Sequence, residues 1–408
     1  MSDPTLDTGL DEFRRRARAF LEAHADPAGT ERHDDEATVV ARAKAFQGAL
    51  ADAGMAAITY PKALGGAGLD AAHQRVFDEE SSAFELPSRQ FMIGLGMCAP
   101  VLLEFGTDAQ QRAYLPGLLR AGTVWCQLFS EPGAGSDVAS LQTRAERDGD
   151  EWVVNGQKVW TSGAHYCDYG LLVARTNTDV PKHRGLSMFV VDMRTPGVNA
   201  RPLRQIDGHA HFNEVFLDDV RLPADALVGD ADDGWRVAVA MLANERVAIG
   251  AGGSSQQMGG DGYVTLIDLA RTQRCTDDPM VRQQLADLYC RERILALMGQ
   301  RIRAAFVAGR APGPEGSVAK LATTILGKRS ADLAMAMAGA GGLAWDPTDP
   351  SGGEQAASLL FAPMLGIAGG TSEIQRNIIG ERVLGLPKEP AVDRDVPFRE
   401  LRVGTQRT

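Results

Sequence analysis

The sequence predicts an α+β chain of several domains, ordered helices, then β, then helices. Three observations predict it. Apolar residues recur at helical spacing as far as Leu119, short strand-like runs begin near Val124, and helical spacing returns from Gly234 onward.

The elements follow in order. Leu10, Phe13, Ala17, Phe20 and Leu21 share one helical face, and Val39, Ala43, Phe46 and Leu50 share another. Tyr60-Pro61 and Gly65-Gly66-Ala67-Gly68 break the pattern into a loop. Further helices are expected over Ala99–Phe105 and Asp108–Leu119. Gly94-Leu95-Gly96-Met97-Cys98-Ala99 matches a Gly-x-Gly-x-x-Ala fingerprint, but no strand precedes it and no βαβ unit surrounds it. A tight inter-helix loop is expected there. Trp152 to Trp160 reads as a hairpin, with Asn155-Gly156 suited to a type I′ turn. Strands are expected over Tyr169–Ala174, Leu186–Met193 and Phe212–Leu222, punctuated by Pro196-Gly197 and Asp207-Gly208. Short strands at this spacing suit an antiparallel barrel or sandwich. Val281, Leu285, Leu288, Leu295, Met298 and Ile302 form the seam of a long bundle helix, and Val318, Leu321 and Ile325 continue the theme. The glycine-rich 250–262 region predicts a close helix contact or a break. The Pro-rich, charged tail after Leu386 reads as a loose extension.

Composition narrows the function. The chain has 408 residues, enough for two or three domains, with 44% apolar and 23% charged residues. Its net charge of −11 argues against a nucleic-acid surface, which needs clustered Lys and Arg, but not against a local pocket for a small anion. Cys98, Cys126, Cys167, Cys275 and Cys290 are scattered without a Cys-x-x-Cys pair, which argues against a zinc site or redox dithiol. Isolated thiols suit a reducing cytoplasm, the expected location. The polar N-terminus is unlike a signal peptide, and no apolar run approaches the roughly 18 residues of a membrane span.

Four segments stand out for chemistry. At Gly369-Gly370-Thr371 a small-residue turn leads into a helix carrying Ile374 and Ile378. Bare N–H groups there suit an anion or a polarised carbonyl, yet the turn has no acid or base at its leading edge. Ser130-Glu131-Pro132-Gly133-Ala134-Gly135-Ser136-Asp137 allows backbone to approach a ligand, though a surface turn reads equally well. Trp160-Thr161-Ser162 offers an aromatic wall and two hydroxyls to a flat ring; a half-buried strand end is the plainer reading. Glu245 has Met241, Leu242, Ala248 and Ile249 at three and four residues, so it sits on an apolar stripe with no cation in helical reach. Arg246 points about 100° away around the helix. Desolvation raises the pKa of such a carboxylate, which suits a general base; pairing across a bundle is the alternative. His165, His209 and His211 show no metal-ligand spacing.

Together these segments resemble the acyl-CoA dehydrogenase family of flavoproteins. The resemblance rests on Ser130 to Asp137, Asn155-Gly156-Gln157-Lys158-Val159-Trp160-Thr161-Ser162, Phe212-Asn213-Glu214-Val215, and Gly370-Thr371-Ser372-Glu373-Ile374-Gln375-Arg376, in the family's order and spacing. It implies an N-terminal helical domain (1–122), a central antiparallel β-barrel (123–230), a C-terminal four-helix bundle (231–386) and a tail (387–408). It also implies a homotetramer or homodimer, with FAD held between barrel and bundle. The implied reaction is α,β-dehydrogenation of an acyl-CoA: a base takes the α-proton, flavin N5 takes the β-hydride, and an electron-transfer flavoprotein accepts the electrons.

By position, Gln127, Phe129 and Ser130 resemble flavin-ring contacts, and Trp160, Thr161 and Ser162 contacts from the hairpin. Thr371 and Glu373 match C-terminal flavin contacts, Ser136 and Arg246 match CoA contacts, and Arg271 resembles the arginine that reaches a neighbour's FAD. Arg271 lacks the Phe-Gly that usually follows it, and Ala338-Gly339-Ala340-Gly341-Gly342 departs from Leu-Gly-Gly-x-Gly. Many members place the base immediately before Gly-Thr, where this chain has Gly369 and Gly370; a minority place it on the first bundle helix, at Glu245. A backbone amide near Gly369–Gly370 and an FAD ribityl hydroxyl would then hold the thioester oxygen. Two alternatives remain: a flavin monooxygenase or oxidase on the same fold, and one subunit of a heteromer.

Overall fold

Helix caps and apolar stripes set the first layer. α1 (Pro4–His24), α2 (Glu36–Asp52) and α3 (Ala71–Ser81) bury Phe13, Ala17, Leu21, Phe46, Leu50, Val76 and Phe77 in one core. Asp35 caps α2 by accepting from Thr38 N–H at 2.8 Å, and Asp70 caps α3. α4 (Ala99–Phe105) and α5 (Asp108–Leu119) fall where the spacing predicts. Thr107 and Gln110 form a reciprocal capping box on α5. The Gly94–Cys98 segment is no loop: it is a π-helical turn running straight into α4. The computed structural model describes residues 4–28, 30, 34–247, 262–307, 313–344, 350–391 and 393–401. It divides into two units: Met1–Leu203 with Ala210–Met241 and Asp393–Thr408, and Leu242–Val392 with Arg204–His209.

The first unit also holds the strands. β1 (Asp26–Pro27) and β2 (Phe84–Glu85) form a short antiparallel pair. The main sheet has eight strands: β3 (Trp125–Leu128), β4 (Arg144–Asp148), β5 (Glu151–Ser162), β6 (Tyr169–Arg175), β7 (Leu186–Asp192), β8 (Val198–Leu203), β9 (Phe212–Pro223) and β10 (Leu227–Val228). The order is β10-β7-β6-β4-β5-β9-β8, with β3 on β6. Most joins are antiparallel as expected, but β3 and β4 each meet β6 in parallel. Trp152, Val154, Leu172, Phe189, Val191 and Val215 fill its core.

The hairpin expected at Asn155-Gly156 is not there. β5 runs unbroken from Glu151 to Ser162, and the chain turns instead at Gly149, whose φ of 60° permits the tight β4–β5 reversal. Asn155-Gly156 marks a register shift against β9. There Asn155 and Asp219 exchange two hydrogen bonds across the strands. A Cβ at Gly156 would lie 2.3 Å from Thr143 Oγ1, so close packing explains the glycine.

Residues 393–401 of the tail are also more ordered than the composition suggests. Phe398 is buried under the Arg175 guanidinium, 3.6 Å from the ring centroid, and its N–H donates to Val180 O. Lys182 bridges Asp393 and Asp137, at 2.7 and 2.9 Å. One aromatic residue and one ion pair to Asp393 outweigh the Pro-rich composition.

The second unit is helical. α6 (Gly234–Val247) contributes its residues from Leu242, followed by α7 (Tyr263–Thr272), α8 (Pro279–Val307), α9 (Glu315–Leu343), α10 (Pro350–Leu365) and α11 (Ser372–Ile378). Leu266, Ala270, Leu285, Leu288, Leu326, Leu333 and Met337 form its core. Gly339, with φ 55° and ψ −134°, kinks α9 within the Ala338–Gly342 run. The stripe expected on α9 is corrected. Ile325 is exposed and Val318 and Leu321 are half-buried, while Ser317, Lys320 and Thr324 are buried. Both sets share a helical period; backbone carbonyls satisfy Lys320 and Thr324 and let the polar side turn inward. The Gly250–Gly262 expectation lies mostly outside the described residues.

Candidate active site

In the first unit the predicted flavin contacts gather around β3 and β5. Gln127 sits on β3, paired with Leu171 of β6, and Phe129 follows it, buried. Val159 N–H donates to Ser130 O at 2.9 Å, joining β5 to the 130–137 loop. Glu131 and Ala134 close that loop by exchanging two backbone hydrogen bonds. Beneath it lies an ion pair that the sequence reading did not single out. Lys158 is wholly buried and donates to Glu131 Oε1 at 2.9 Å and to Phe129 O at 3.0 Å. Glu131 also accepts from the N–H groups of Gln142 and Thr143. Burial opposes the charge on Glu131, but Lys158 and these donors outweigh it and hold the carboxyl below its ordinary value. Burial pushes the Lys158 ammonium down, and Glu131 only partly restores it.

Trp160 stands out twice. Its φ of 61° is rare for a bulky side chain, and the residue is 58% exposed. The strain sits in a register shift between Lys158 and Thr161, where β5 bulges away from β9. The bulge presents the indole outward and the next side chain inward. Thr161 is buried, and its Oγ1 has no partner among the described residues. Asn213, fully buried, donates to Thr161 O at 3.0 Å, and its Oδ1 meets His165 Nδ1 at 2.9 Å. Thus His165 is a satisfied structural residue. Ser162 is half-buried, and Ser136 is exposed beside Asp137, which Lys182 holds. An exposed indole on a strained bulge beside a buried hydroxyl in need of a partner fits a flat, polar-edged ring.

In the second unit Glu245 lies half-buried in the last turn of α6, with Met241 of the same face fully buried. Arg246 follows it; its side chain, together with Ala248, Ile249 and Gly252, lies outside the described residues. Thr371 caps α11, accepting from Ile374 N–H at 3.3 Å, and Glu373 in the first turn is exposed. Gly369 and Gly370 both have left-handed φ, 67° and 89°. Lys320 of α9 reaches the turn, donating to Leu365 O at 3.0 Å and Gly370 O at 2.8 Å. Glu245 and Glu373 lie within electrostatic reach of its ammonium. The bundle therefore brings a cation toward Glu245. Arg271, in the last turn of α7, is exposed and bonded to Asp268 at 2.8 Å.

The order of helices, strands and helices is the three-part architecture that the sequence resemblance implies. Residues 9–122, 126–220 and 232–384 match the N-terminal, middle and C-terminal domains of acyl-CoA dehydrogenase. The chain is 39% identical over 393 residues to "Acyl-CoA dehydrogenase IpdE1" of Mycobacterium tuberculosis (strain ATCC 25618 / H37Rv), covering 93% of this chain and 98% of that protein. Among solved structures it resembles the "ChsE4-ChsE5 complex from Mycobacterium tuberculosis", with a TM-score of 0.76, 29% identity, and coverage of 95% and 99%. It also resembles the "Tcur3481-Tcur3483 steroid ACAD", with a TM-score of 0.77, 26% identity, and coverage of 95% and 99%. The chain belongs to the acyl-CoA dehydrogenase family and is an oxidoreductase of that class.

Proposed function

We propose that the chain carries FAD and dehydrogenates an acyl-CoA thioester to its trans-2-enoyl-CoA, with Glu245 as the base. The observation that carries the reading is the division of labour in the second unit. The Gly369–Gly370 turn offers backbone donors and no acid, and Glu245 on α6 offers an acid on a helix with a buried apolar face. Gln127, Phe129, Ser130, Trp160, Thr161, Ser162, Thr371 and Glu373 would hold the cofactor; the unpartnered Thr161 hydroxyl supports this. Bound FAD supplies the acceptor for the β-hydride. Glu245 takes the α-proton, and an amide of the Gly369–Gly370 turn holds the thioester oxygen as it gains enolate character. Ser136 and Arg246 meet the CoA moiety. An electron-transfer flavoprotein is the proposed acceptor.

The proposed substrate class is a bulky, ring-bearing acyl-CoA. Gly369 leaves the turn without a side chain, and a structural neighbour is described as a steroid ACAD. An oligomer is proposed as the working form. Val264, Met280, Ile294 and Leu297 expose apolar surface on α7 and α8, and Arg271, paired with Asp268, lies exposed at the end of α7. The likeness to the ChsE4-ChsE5 complex favours a second reading, in which this chain pairs with a different one.

The test is Glu245→Gln in the FAD-loaded protein, mixed with a panel of straight, branched and steroid side-chain acyl-CoAs. Flavin should stay bound while its reduction slows by about 10²–10⁴-fold. Full bleaching of that variant by substrate would falsify the base assignment. Oxygen uptake in place of electron-transfer-flavoprotein reduction would point to an oxidase, and a colourless protein purified alone to the heteromer.

A further inference from the structure

The Gly369–Gly370 turn is held from behind. Gln375, fully buried, donates its side-chain amide to Gly369 O at 2.7 Å and to Gly370 O at 3.3 Å. Lys320 donates to Gly370 O at 2.8 Å and also to Leu365 O, which Thr324 Oγ1 reaches at 2.7 Å. Each trans peptide plane carries a carbonyl on one side and the next N–H on the other. With the carbonyls of Gly369 and Gly370 drawn toward Gln375 and Lys320, the N–H groups of Gly370 and Thr371 turn the opposite way. No backbone carbonyl of the described residues accepts from either.

We infer that Lys320 is a positioning residue: with Gln375 it captures the carbonyls of the turn and thereby aims the turn's N–H groups outward as donors. The inference rests on the reading of this turn as the donor to the thioester oxygen. A lysine suits the task because its ammonium carries three donors and a charge that strengthens each hydrogen bond to a carbonyl. Gly370 is required as well, since a Cβ there would lie 2.7 Å from the Gln375 amide nitrogen. The charged groups facing Lys320 are Glu245 on α6 and Glu373 on α11. Burial holds the Lys320 ammonium below the ordinary lysine value, and the two carboxylates partly offset that. The anchor is therefore lost on the alkaline side, before an ordinary lysine titrates.

The experiment compares Lys320→Met, Lys320→Gln and Lys320→Arg in the full-length, FAD-loaded protein. The substrate is whichever acyl-CoA of the panel bleaches the wild type fastest. In single-turnover mixing, Lys320→Met should lower the limiting reduction rate on the order of 10²-fold, the cost of misplacing a catalytic group, with half-saturation and flavin content unchanged. Lys320→Arg should recover most of that rate and abolish the alkaline fall, because arginine does not titrate there. Should Lys320→Met fail to fold, Lys320→Gln is judged by the same split. A wild-type limiting rate in the first two variants overturns the inference. So does a loss of flavin and thermal stability that Lys320→Arg repeats in full. Hydrogen exchange over 366–378 tests the anchor without substrate. Exchange that quickens there in Lys320→Met and is restored in Lys320→Arg supports it; unchanged exchange overturns it. If no acyl-CoA bleaches the wild type, the functional reading fails, and the exchange result alone judges the anchor.

Discussion

Lys158→Met should destabilise the first unit more than any surface substitution. The side chain is wholly buried, and its ammonium holds Glu131 Oε1 and Phe129 O. Methionine fills nearly the same volume, so the loss is electrostatic, not a cavity. Glu131 keeps the N–H donors of Gln142 and Thr143 but loses its counter-ion. Stranding one partner of a buried pair costs about 3–5 kcal/mol. For a unit of about 250 residues, the entropy of unfolding per residue converts this to a Tm lowered by roughly 6–10 °C. The double variant Lys158→Met/Glu131→Gln removes the stranded charge and should regain much of the loss. Calorimetry of the three variants, with flavin content measured alongside, is the assay. A Tm for Lys158→Met within a degree of wild type, or a double variant worse than both singles combined, would refute the reasoning.

The same pair sets a pH dependence. The folded state holds Glu131 below its ordinary value of 4.5, so the stabilisation is complete above that pH and fades as the pH falls through the lower folded value. Tm measured from neutral to acid pH should drop in that window, and less steeply in Glu131→Gln; equal slopes would show that Glu131 is not the group. Phe398→Ala should cost about 3 kcal/mol, at the lower end for a buried phenylalanine because one face meets a guanidinium. Denaturant titration checks this, and an unchanged midpoint would mean that the tail does not stabilise the sheet. Trp160→Gly should weaken flavin retention while leaving the Tm of the flavin-free protein unchanged or higher, since glycine carries no Cβ to strain a φ of 61°. Flavin release on dilution reads the first and calorimetry the second.

Much of the architecture follows from local pattern. The α4 and α5 bounds, the β6, β7 and β9 strands and the long α8 helix are written in apolar periodicity and turn residues. Glu245 too is legible, because an acid among apolar helix neighbours violates the pattern around it. The Asn155-Gly156 expectation failed for a physical reason: a glycine demanded by close approach to Thr143 looks the same in sequence as one demanded by a turn. The tail failed because Arg175, Lys182 and Phe398 act over separations that composition does not weigh.

What the sequence determined by itself is the order of elements, the glycine-rich loop and turn, and the presence of an acid on α6. What only the tertiary structure decided is which charges those elements meet. Lys158 found Glu131 across 27 residues, and Lys320 found Gly370 across 50. On a helix or strand read alone, each lysine looks like an ordinary solvent-facing cation. Only packing removes the water, and once water is gone a buried ammonium must take whatever carbonyls and carboxylates the fold brings to it.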